Sequence, residues 1–83
     1  MRLKKLGANE TILCDGTREI FFSYETPVAA WVAGKLYITD EFHSRTTSKH
    51  INRFIQRFSP NIIPEEKYQG FFDSFVERIE LWA

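Results

Sequence analysis

The segment Thr11–Tyr24 has the sequence TILCDGTREIFFSY, in which β-branched and aromatic residues flank Asp15-Gly16 on both sides. Asp-Gly between two such runs is typical of a β-hairpin, because its tight turn needs residues that adopt a positive φ easily. The segment therefore predicts two antiparallel strands joined by a short turn. Pro27, which follows, is expected to bend the chain or to lie at a sheet edge, since it cannot donate a ladder hydrogen bond.

A second hairpin is predicted immediately after the first. The runs VAAWVA and KLYITD lie on either side of Gly34, which can supply the positive φ of a tight turn. Together the two hairpins predict an antiparallel meander of about four strands over residues 11–40. Leu3–Leu6 could add an edge strand, so that strands would occupy residues 3–40.

The second half of the chain has a helical period. Ile51, Phe54, Ile55 and Phe58 recur at positions i, i+3, i+4 and i+7, which predicts an amphipathic helix over residues 46–58. Thr46 or Thr47 is expected to cap its N-terminus with a side-chain hydroxyl. The sequence Ser59-Pro60-Asn61 is expected to end it.

The same spacing predicts a second helix over residues 64–80. Pro64 suits its first turn, where Glu65 and Glu66 would lie near the positive end of the helix dipole. Gly70 would lie in the helix interior, where close approach to the sheet or to the first helix would explain it. The apolar positions that keep the spacing are Tyr68, Phe71, Phe72, Phe75, Val76 and Ile79. Phe54, Phe72 and Phe75 are predicted core residues.

Strands followed by helices indicate an α+β fold, with both helices packed on one face of the sheet. The 83 residues are expected to form a single domain, because a chain of this length supports one core. Cys14 is the only cysteine, which excludes an intramolecular disulfide and favours a reducing compartment. No run of 18 apolar residues and no signal-peptide centre occurs, so we expect a cytoplasmic protein without a membrane partner.

No set of residues in the sequence predicts catalysis, a cofactor or a metal site. His43, His50 and Cys14 lack the spacing of zinc ligands, and the four glycines do not form a phosphate-binding loop. Ser44 or Ser48 beside a histidine is the nucleophile pair that the sequence would allow, but a nucleophile elbow is missing. A non-enzymatic protein is therefore expected.

The first predicted helix carries the candidate binding site. Lys49, Arg53 and Arg57 lie opposite its apolar face, although the whole chain has no net charge. Helix N-termini attract anions, because their backbone N–H groups are unpaired and the dipole is positive there. The basic stripe and the helix start together predict phosphate binding by Arg45, Thr46, Thr47, Ser48, Lys49, His50, Arg53 and Arg57. A stripe that merely faces solvent is the alternative.

Two segments carry a resemblance to known sequences. SYETPVAAWV, Ser23–Val32, and SRTTSKHINRFI, Ser44–Ile55, together resemble an uncharacterised family of small phage and bacterial proteins with S-Y-x-T-x-V-A and T-T-x-H-I-N segments. The resemblance implies a phage or mobile-element setting and brings no activity with it. It also implies that the polar residues of both segments form one constellation. Its role could be structural, with Tyr24 and His50 hydrogen-bonded in the core and locking the helix start onto the sheet, or it could bind a ligand. Its members would be Ser23, Tyr24, Thr26, Thr46, Thr47, His50 and Asn52.

Two classes of function follow from these patterns. The first is a small phage-type accessory module that binds the phosphate of a nucleic acid or a nucleotide through the basic helix. The second is a protein-interaction module or inhibitor that acts on a host enzyme or defence component. A homodimer is also compatible with the charges, because residues 41–58 are mainly basic and residues 59–83 mainly acidic.

Overall fold

The computed structural model describes residues 2–16 and 18–82, and it describes their side chains except those of residues 2, 15 and 76–82. In this part of the chain five strands come first, followed by a helix, a short strand and a second helix. The elements are β1 Arg2–Gly7, β2 Glu10–Asp15, β3 Arg18–Ser23, β4 Thr26–Val32, β5 Lys35–Thr39, α1 Arg45–Ile55, β6 Glu65–Lys67 and α2 Gln69–Trp82.

The strands form one sheet in the order β1-β2-β3-β4-β5-β6. The first five strands pair with one another in antiparallel fashion, with Ile12 opposite Phe21 and Ala29 opposite Ile38. The predicted α+β class and the antiparallel meander are confirmed, and Leu3–Leu6 belongs to the edge strand β1. The sixth strand, β6, was not predicted; it pairs in parallel with β5, which makes the sheet mixed.

The predicted hairpins turn at one end of the sheet, here called the lower end. Gly16 has a φ of 60°, and in the β4–β5 turn Ala33 and Gly34 have φ values of 53° and 77°. Both central residues of that turn are therefore left-handed, as the favoured hairpin turns require. At the opposite end, here called the upper end, the β1–β2 and β3–β4 turns contain Asn9 and Tyr24, with φ values of 65° and 58°.

The two helices lie on opposite faces of the sheet, so the prediction that they share one face is wrong. Phe21 faces α1, where its ring stacks on Phe54 with centroids 4.9 Å apart. Tyr37 has the opposite orientation along the pleat, and its ring meets Phe71 of α2 at 5.3 Å. Because side chains alternate between the faces of a sheet, this arrangement buries β4 on both sides, as the full burial of Ala29 and Ala30 shows.

The first helix begins and ends earlier than predicted. Its N-cap is Ser44, whose side chain accepts a hydrogen bond from the Thr47 backbone N–H, so neither Thr46 nor Thr47 is the cap. The helix ends at Ile55 rather than at Phe58. Phe58 still contributes to packing, because its ring stacks on Trp31 with centroids 4.7 Å apart.

The second helix begins five residues later than predicted. Residues 65–67 are extended because they pair with β5, and Asp40 donates a backbone hydrogen bond to the Lys67 carbonyl at 2.9 Å. Pro64, Glu65 and Glu66 therefore lie outside α2. Gly70 is its second residue, and a Cβ there would meet the Tyr68 ring at 2.7 Å, not the sheet or α1.

The core has one part on each face of the sheet. Phe54 and Phe72 are fully buried, as predicted. Phe75 is only half-buried, because it packs edge-on against Phe71 and its other side meets the Arg18 guanidinium at 5.9 Å. None of the helices described is both long and apolar enough to cross a membrane.

Candidate functional site

Four side chains form a hydrogen-bonded network between the upper end of β3 and the start of α1. The Ser23 hydroxyl lies 2.8 Å from Nδ1 of His50 and 3.0 Å from the Thr47 hydroxyl. The Ser44 hydroxyl donates to the Thr47 hydroxyl at 3.2 Å and accepts from the Thr47 backbone N–H at 3.1 Å. We call Ser23, Ser44, Thr47 and His50 the hydroxyl network.

The hydroxyl network has one direction in which every hydroxyl hydrogen has an acceptor. Ser44 donates to Thr47, Thr47 donates to Ser23, and Ser23 donates to Nδ1 of His50. Because Ser44 is the donor to Thr47, a hydrogen bond from Ser23 to Thr47 would leave the Thr47 hydroxyl hydrogen without an acceptor among the described residues, at a buried position where an unpaired donor is costly. Nδ1 of His50 is therefore an acceptor, and its ring carries hydrogen on Nε2.

Nε2 of His50 reaches the protein surface. The residue is only 6% exposed, yet among the described residues no side-chain nitrogen or oxygen is fully buried without a partner. No described residue bonds Nε2, so this atom must touch solvent. Beside it lies Tyr24, whose ring centroid is 5.9 Å from that of His50 and whose side chain is 50% exposed. The network thus fixes a histidine that presents one N–H donor outwards.

The basic stripe of α1 is only partly free. Arg53 donates to the Glu10 carboxylate at 3.0 Å, and that carboxylate is almost fully buried at 5% exposure. Arg57 lies 3.7 Å from Glu19, and both side chains are partly exposed. These contacts neutralise two of the three cations in the stripe. They were not predictable from the local sequence, because Glu10 and Arg53 are 43 residues apart.

Three of the predicted site residues remain exposed at the start of α1. Arg45, Thr46 and Lys49 are exposed, and no described carboxylate pairs with Arg45 or Lys49. Thr46 lies one helical turn before Lys49 and His50, so these side chains are neighbours on the helix surface. We call Arg45, Thr46, Lys49 and Nε2 of His50 the α1 surface. Ser48 is half-buried, and Thr47 is buried in the hydroxyl network.

The constellation implied by the resemblance is only partly assembled. Ser23, Tyr24, Thr47 and His50 do come together, but the residue that hydrogen-bonds His50 is Ser23, whereas Tyr24 is half exposed and meets His50 only through its ring. Thr46 and Asn52 are exposed on α1, and within the described residues neither side chain bonds to this group. Thr26 is half-buried and lines a pocket on the other side of Tyr24.

That pocket lies at the upper end of the sheet, between the β1–β2 and β3–β4 turns. It is open to solvent and has a volume of about 560 Å³. A backbone hydrogen bond of 2.7 Å from Tyr24 N–H to the Asn9 carbonyl joins the two turns. The pocket was missed in the sequence, although Tyr24 was singled out. Its lining residues, here called the tyrosine pocket, are Lys5, Asn9, Thr11, Tyr24, Glu25 and Thr26.

Gln69 joins the start of α2 to the segment before α1. Its Oε1 accepts from the Thr39 hydroxyl at 2.8 Å and from Nε2 of His43 at 2.9 Å. Its Nε2 donates to the Pro27 carbonyl at 2.7 Å and to Asp73 at 3.1 Å. Gln69 was missed because an isolated glutamine before a helix has no distinctive sequence signal.

Neither a metal centre nor a nucleophile pair is assembled on an accessible surface of the described residues. No group of three histidine, cysteine, aspartate or glutamate side chains there is placed to hold a metal ion. His50 does pair with a serine, but with Ser23 rather than with Ser44 or Ser48, and Ser23 is 1% exposed. A substrate could not reach that hydroxyl, so the pair fixes the position of His50.

Comparison with known proteins gives a family but no function. No curated protein and no solved structure matches the chain. A family model does match residues 1–70, a range that includes the five N-terminal strands, α1, β6 and both segments that meet in the hydroxyl network. The chain therefore belongs to DUF8033, a family of unknown function.

Proposed function

We propose that this chain is a non-catalytic accessory module that binds the phosphate groups of a nucleic acid or nucleotide on the α1 surface. The observation that carries the proposal is the state of His50. Its Nδ1 is fixed by buried hydroxyls, and its Nε2 is left as an unpaired donor at the surface. A donor whose orientation is already fixed loses little entropy when it binds an acceptor.

The charges around this donor support an anion as its acceptor. Arg45 and Lys49 have no carboxylate partner among the described residues. Ser44 satisfies the Thr47 backbone N–H, but the backbone N–H groups of Arg45 and Thr46 lack such a cap and lie at the positive end of the helix dipole. Phosphate oxygens accept from all of these donor types. Arg53 and Arg57 stay with their glutamates and add little.

Binding to single-stranded and duplex DNA at two salt concentrations tests the proposal. If Arg45 and Lys49 each touch one phosphate of a single strand, affinity should fall about sevenfold between 50 and 200 mM salt, at a slope of about 0.7 per contact. Lys49→Glu should weaken binding and flatten this slope. Fluorescence anisotropy with a labelled oligonucleotide would give both values.

Lys35→Glu is the matched control, because it changes the net charge equally. Lys35 is exposed at the lower end, in β5 and away from the α1 surface. It should leave affinity nearly unchanged if binding is local. Equal losses in both variants would show that only the overall charge matters. No measurable binding of DNA, RNA or nucleotides would remove the phosphate proposal.

A protein-interaction module is the second candidate, supported by a different surface. Ile63 is 85% exposed beside an apolar groove of about 460 Å³ at the end of α1. An exposed aliphatic side chain next to such a groove is typical of protein contacts. The groove is lined by Ile55, Gln56, Phe58, Ser59, Pro60, Ile62, Ile63 and Pro64. Ile63→Asp should abolish this contact without affecting phosphate binding, which separates the two candidates.

The biological setting belongs to the same proposal. A phage-encoded protein acting in the host cytoplasm would meet both nucleic acid and host enzymes or defence components, so either candidate fits that setting. A homodimer would join the basic α1 of one copy to an acidic surface of another. Sedimentation at low and high salt would test this, because such a dimer should dissociate as salt screens its charges.

A further inference from the structure

The tyrosine pocket contains two residues in conformations that their side chains disfavour. Asn9 and Tyr24 both have positive φ, at 65° and 58°. Asparagine tolerates this region, but for a bulky residue such as tyrosine it is a strained conformation. The hydrogen bond from Tyr24 N–H to the Asn9 carbonyl holds the strained turn in place. This backbone puts an aromatic ring at the rim of a pocket, where it stays half exposed.

The charge of the pocket does not suit a phosphate group. Lys5 and Glu25 both line it, so its formal charge is zero. The other lining side chains are uncharged: the amide of Asn9, the hydroxyls of Thr11 and Thr26, and the phenol ring of Tyr24. A neutral pocket with one ring and several donors and acceptors matches a flat, polar, uncharged group. Nucleobases have this character, because they combine a stacking face with hydrogen-bonding edges.

Tyr24 also connects the pocket to the α1 surface. Its side chain lines the pocket, and its ring lies against His50, whose Nε2 reaches the surface. A nucleotide whose base stacked on Tyr24 would therefore have its sugar and phosphate near His50, the member of the α1 surface that Tyr24 contacts. A base inside a duplex is stacked on its neighbours and could not enter the pocket without being flipped out.

We propose that the tyrosine pocket binds one unpaired nucleobase of a single-stranded nucleic acid, with Tyr24 as the stacking platform. This inference rests on the proposed function, because the phosphate next to that base is the one that the α1 surface holds. It adds that the ligand is single-stranded and that binding has a base-dependent part. Lys5, Asn9 and Glu25 supply hydrogen bonds to the edges of the base.

An abasic strand separates base binding from phosphate binding. We would measure the affinity of the intact protein for an oligothymidylate of about ten nucleotides and for an abasic deoxyribose-phosphate strand of the same length. One stacked base should make the oligothymidylate bind roughly 5- to 150-fold more tightly. Tyr24→Asn should remove this difference, because asparagine keeps the left-handed backbone but has no ring. Tyr24→Phe should keep it.

Ala33→Asn is the matched control, because Ala33 is the one described non-glycine residue with positive φ that lies outside the tyrosine pocket, at the lower end. It should leave the preference for the oligothymidylate unchanged. Equal affinity of the wild type for both strands would overturn the base pocket and leave phosphate binding intact. Failure of both strands to bind would overturn the proposed function and this inference with it. A Tyr24→Asn protein that still prefers the oligothymidylate would overturn the role of Tyr24.

Discussion

His50 is a buried residue with one ring nitrogen, Nε2, in contact with solvent. Ser23 holds its Nδ1 at 2.8 Å, and the hydrogen-bond direction leaves hydrogen on Nε2, the ring atom that touches solvent. A histidine on the surface of an isolated helix would instead exchange between tautomers and rotamers. The hydroxyl network therefore has two effects: it attaches the start of α1 to β3, and it fixes which atom of His50 a ligand would meet.

Thr46 and Thr47 provide an internal comparison for the network. Thr47→Val replaces a buried hydroxyl by a methyl group of similar size and removes one hydrogen-bond partner each from Ser23 and Ser44, so we expect a loss of about 1–3 kcal/mol of unfolding free energy. Thr46→Val changes an exposed side chain and should cost less than about 0.5 kcal/mol. Urea denaturation of both variants would measure the difference. Equal losses would mean that the hydroxyl network contributes no stability.

The sequence identified the members of this site better than their roles. Thr47 and His50 were expected near Ser23 and Tyr24, and the structure confirms those contacts. The cap was assigned to the wrong residue, because Ser44, Thr46 and Thr47 all have suitable side chains and only the backbone geometry distinguishes them. The tyrosine pocket depends on a left-handed tyrosine, which no sequence rule anticipates.

At the scale of elements, Arg53 connects α1 to β2 through an ion pair. Its side chain is 67% exposed, but the side chain of Glu10, whose carboxylate it pairs with, is buried. Arg53→Met keeps the length and packing of the side chain but leaves this carboxylate without its cation. We expect a loss of about 1–3 kcal/mol of unfolding free energy, because a buried charged acceptor is then unpaired. Chemical denaturation would measure it.

Two controls isolate the ion pair. Lys49→Met removes a cation without a carboxylate partner from the same helix and should change stability by less than about 0.5 kcal/mol. The double variant Glu10→Gln with Arg53→Met removes the buried charge as well, so part of the lost stability should return. If Arg53→Met and Lys49→Met were equally stable, Arg53 would count as a free surface cation, as the sequence suggested.

The helix boundaries show where periodicity stops being informative. Residues 64–66 have a proline followed by two glutamates, which is a common helix start, yet Glu65 and Glu66 pair with Tyr37 and Ile38 of β5. A strand of three residues is too short to display an alternating pattern. Pairing with the edge of β5 therefore outweighs the local helix preference of residues 64–66, and α2 starts after β6, at Gln69.

At the scale of the whole molecule, the sheet contributes to two apolar layers, one between the sheet and α1 and one between the sheet and α2. The meander was predictable, because its turns and strands are local. The placement of the helices was not, since it depends on which face each loop crosses. One signal was available: β4 contains the continuous apolar run VAAWV, which is typical of a strand covered on both faces. That run indicated helices on opposite sides.

Because both layers share this sheet, the α1 and α2 faces should unfold together. Phe72 is fully buried on the α2 face, and Phe72→Ala should cost about 3–5 kcal/mol, a large part of the stability of a small domain. Trp31 stacks on Phe58 on the opposite face and can report unfolding there. In a Trp82→Phe background, Trp31 is the only tryptophan of the chain.

The expected result is one cooperative transition in which Trp31 fluorescence and far-ultraviolet circular dichroism coincide, shifted to lower urea by Phe72→Ala. Phe75→Ala is the matched control, since Phe75 lies one turn further along α2 but is only half-buried, and its shift should be smaller. A Trp31 transition that stays in place while the dichroism shifts would mean that the α1 face folds independently of α2. The hydroxyl network and the α1 surface would then persist without the second helix, whereas a common transition makes both depend on Phe72.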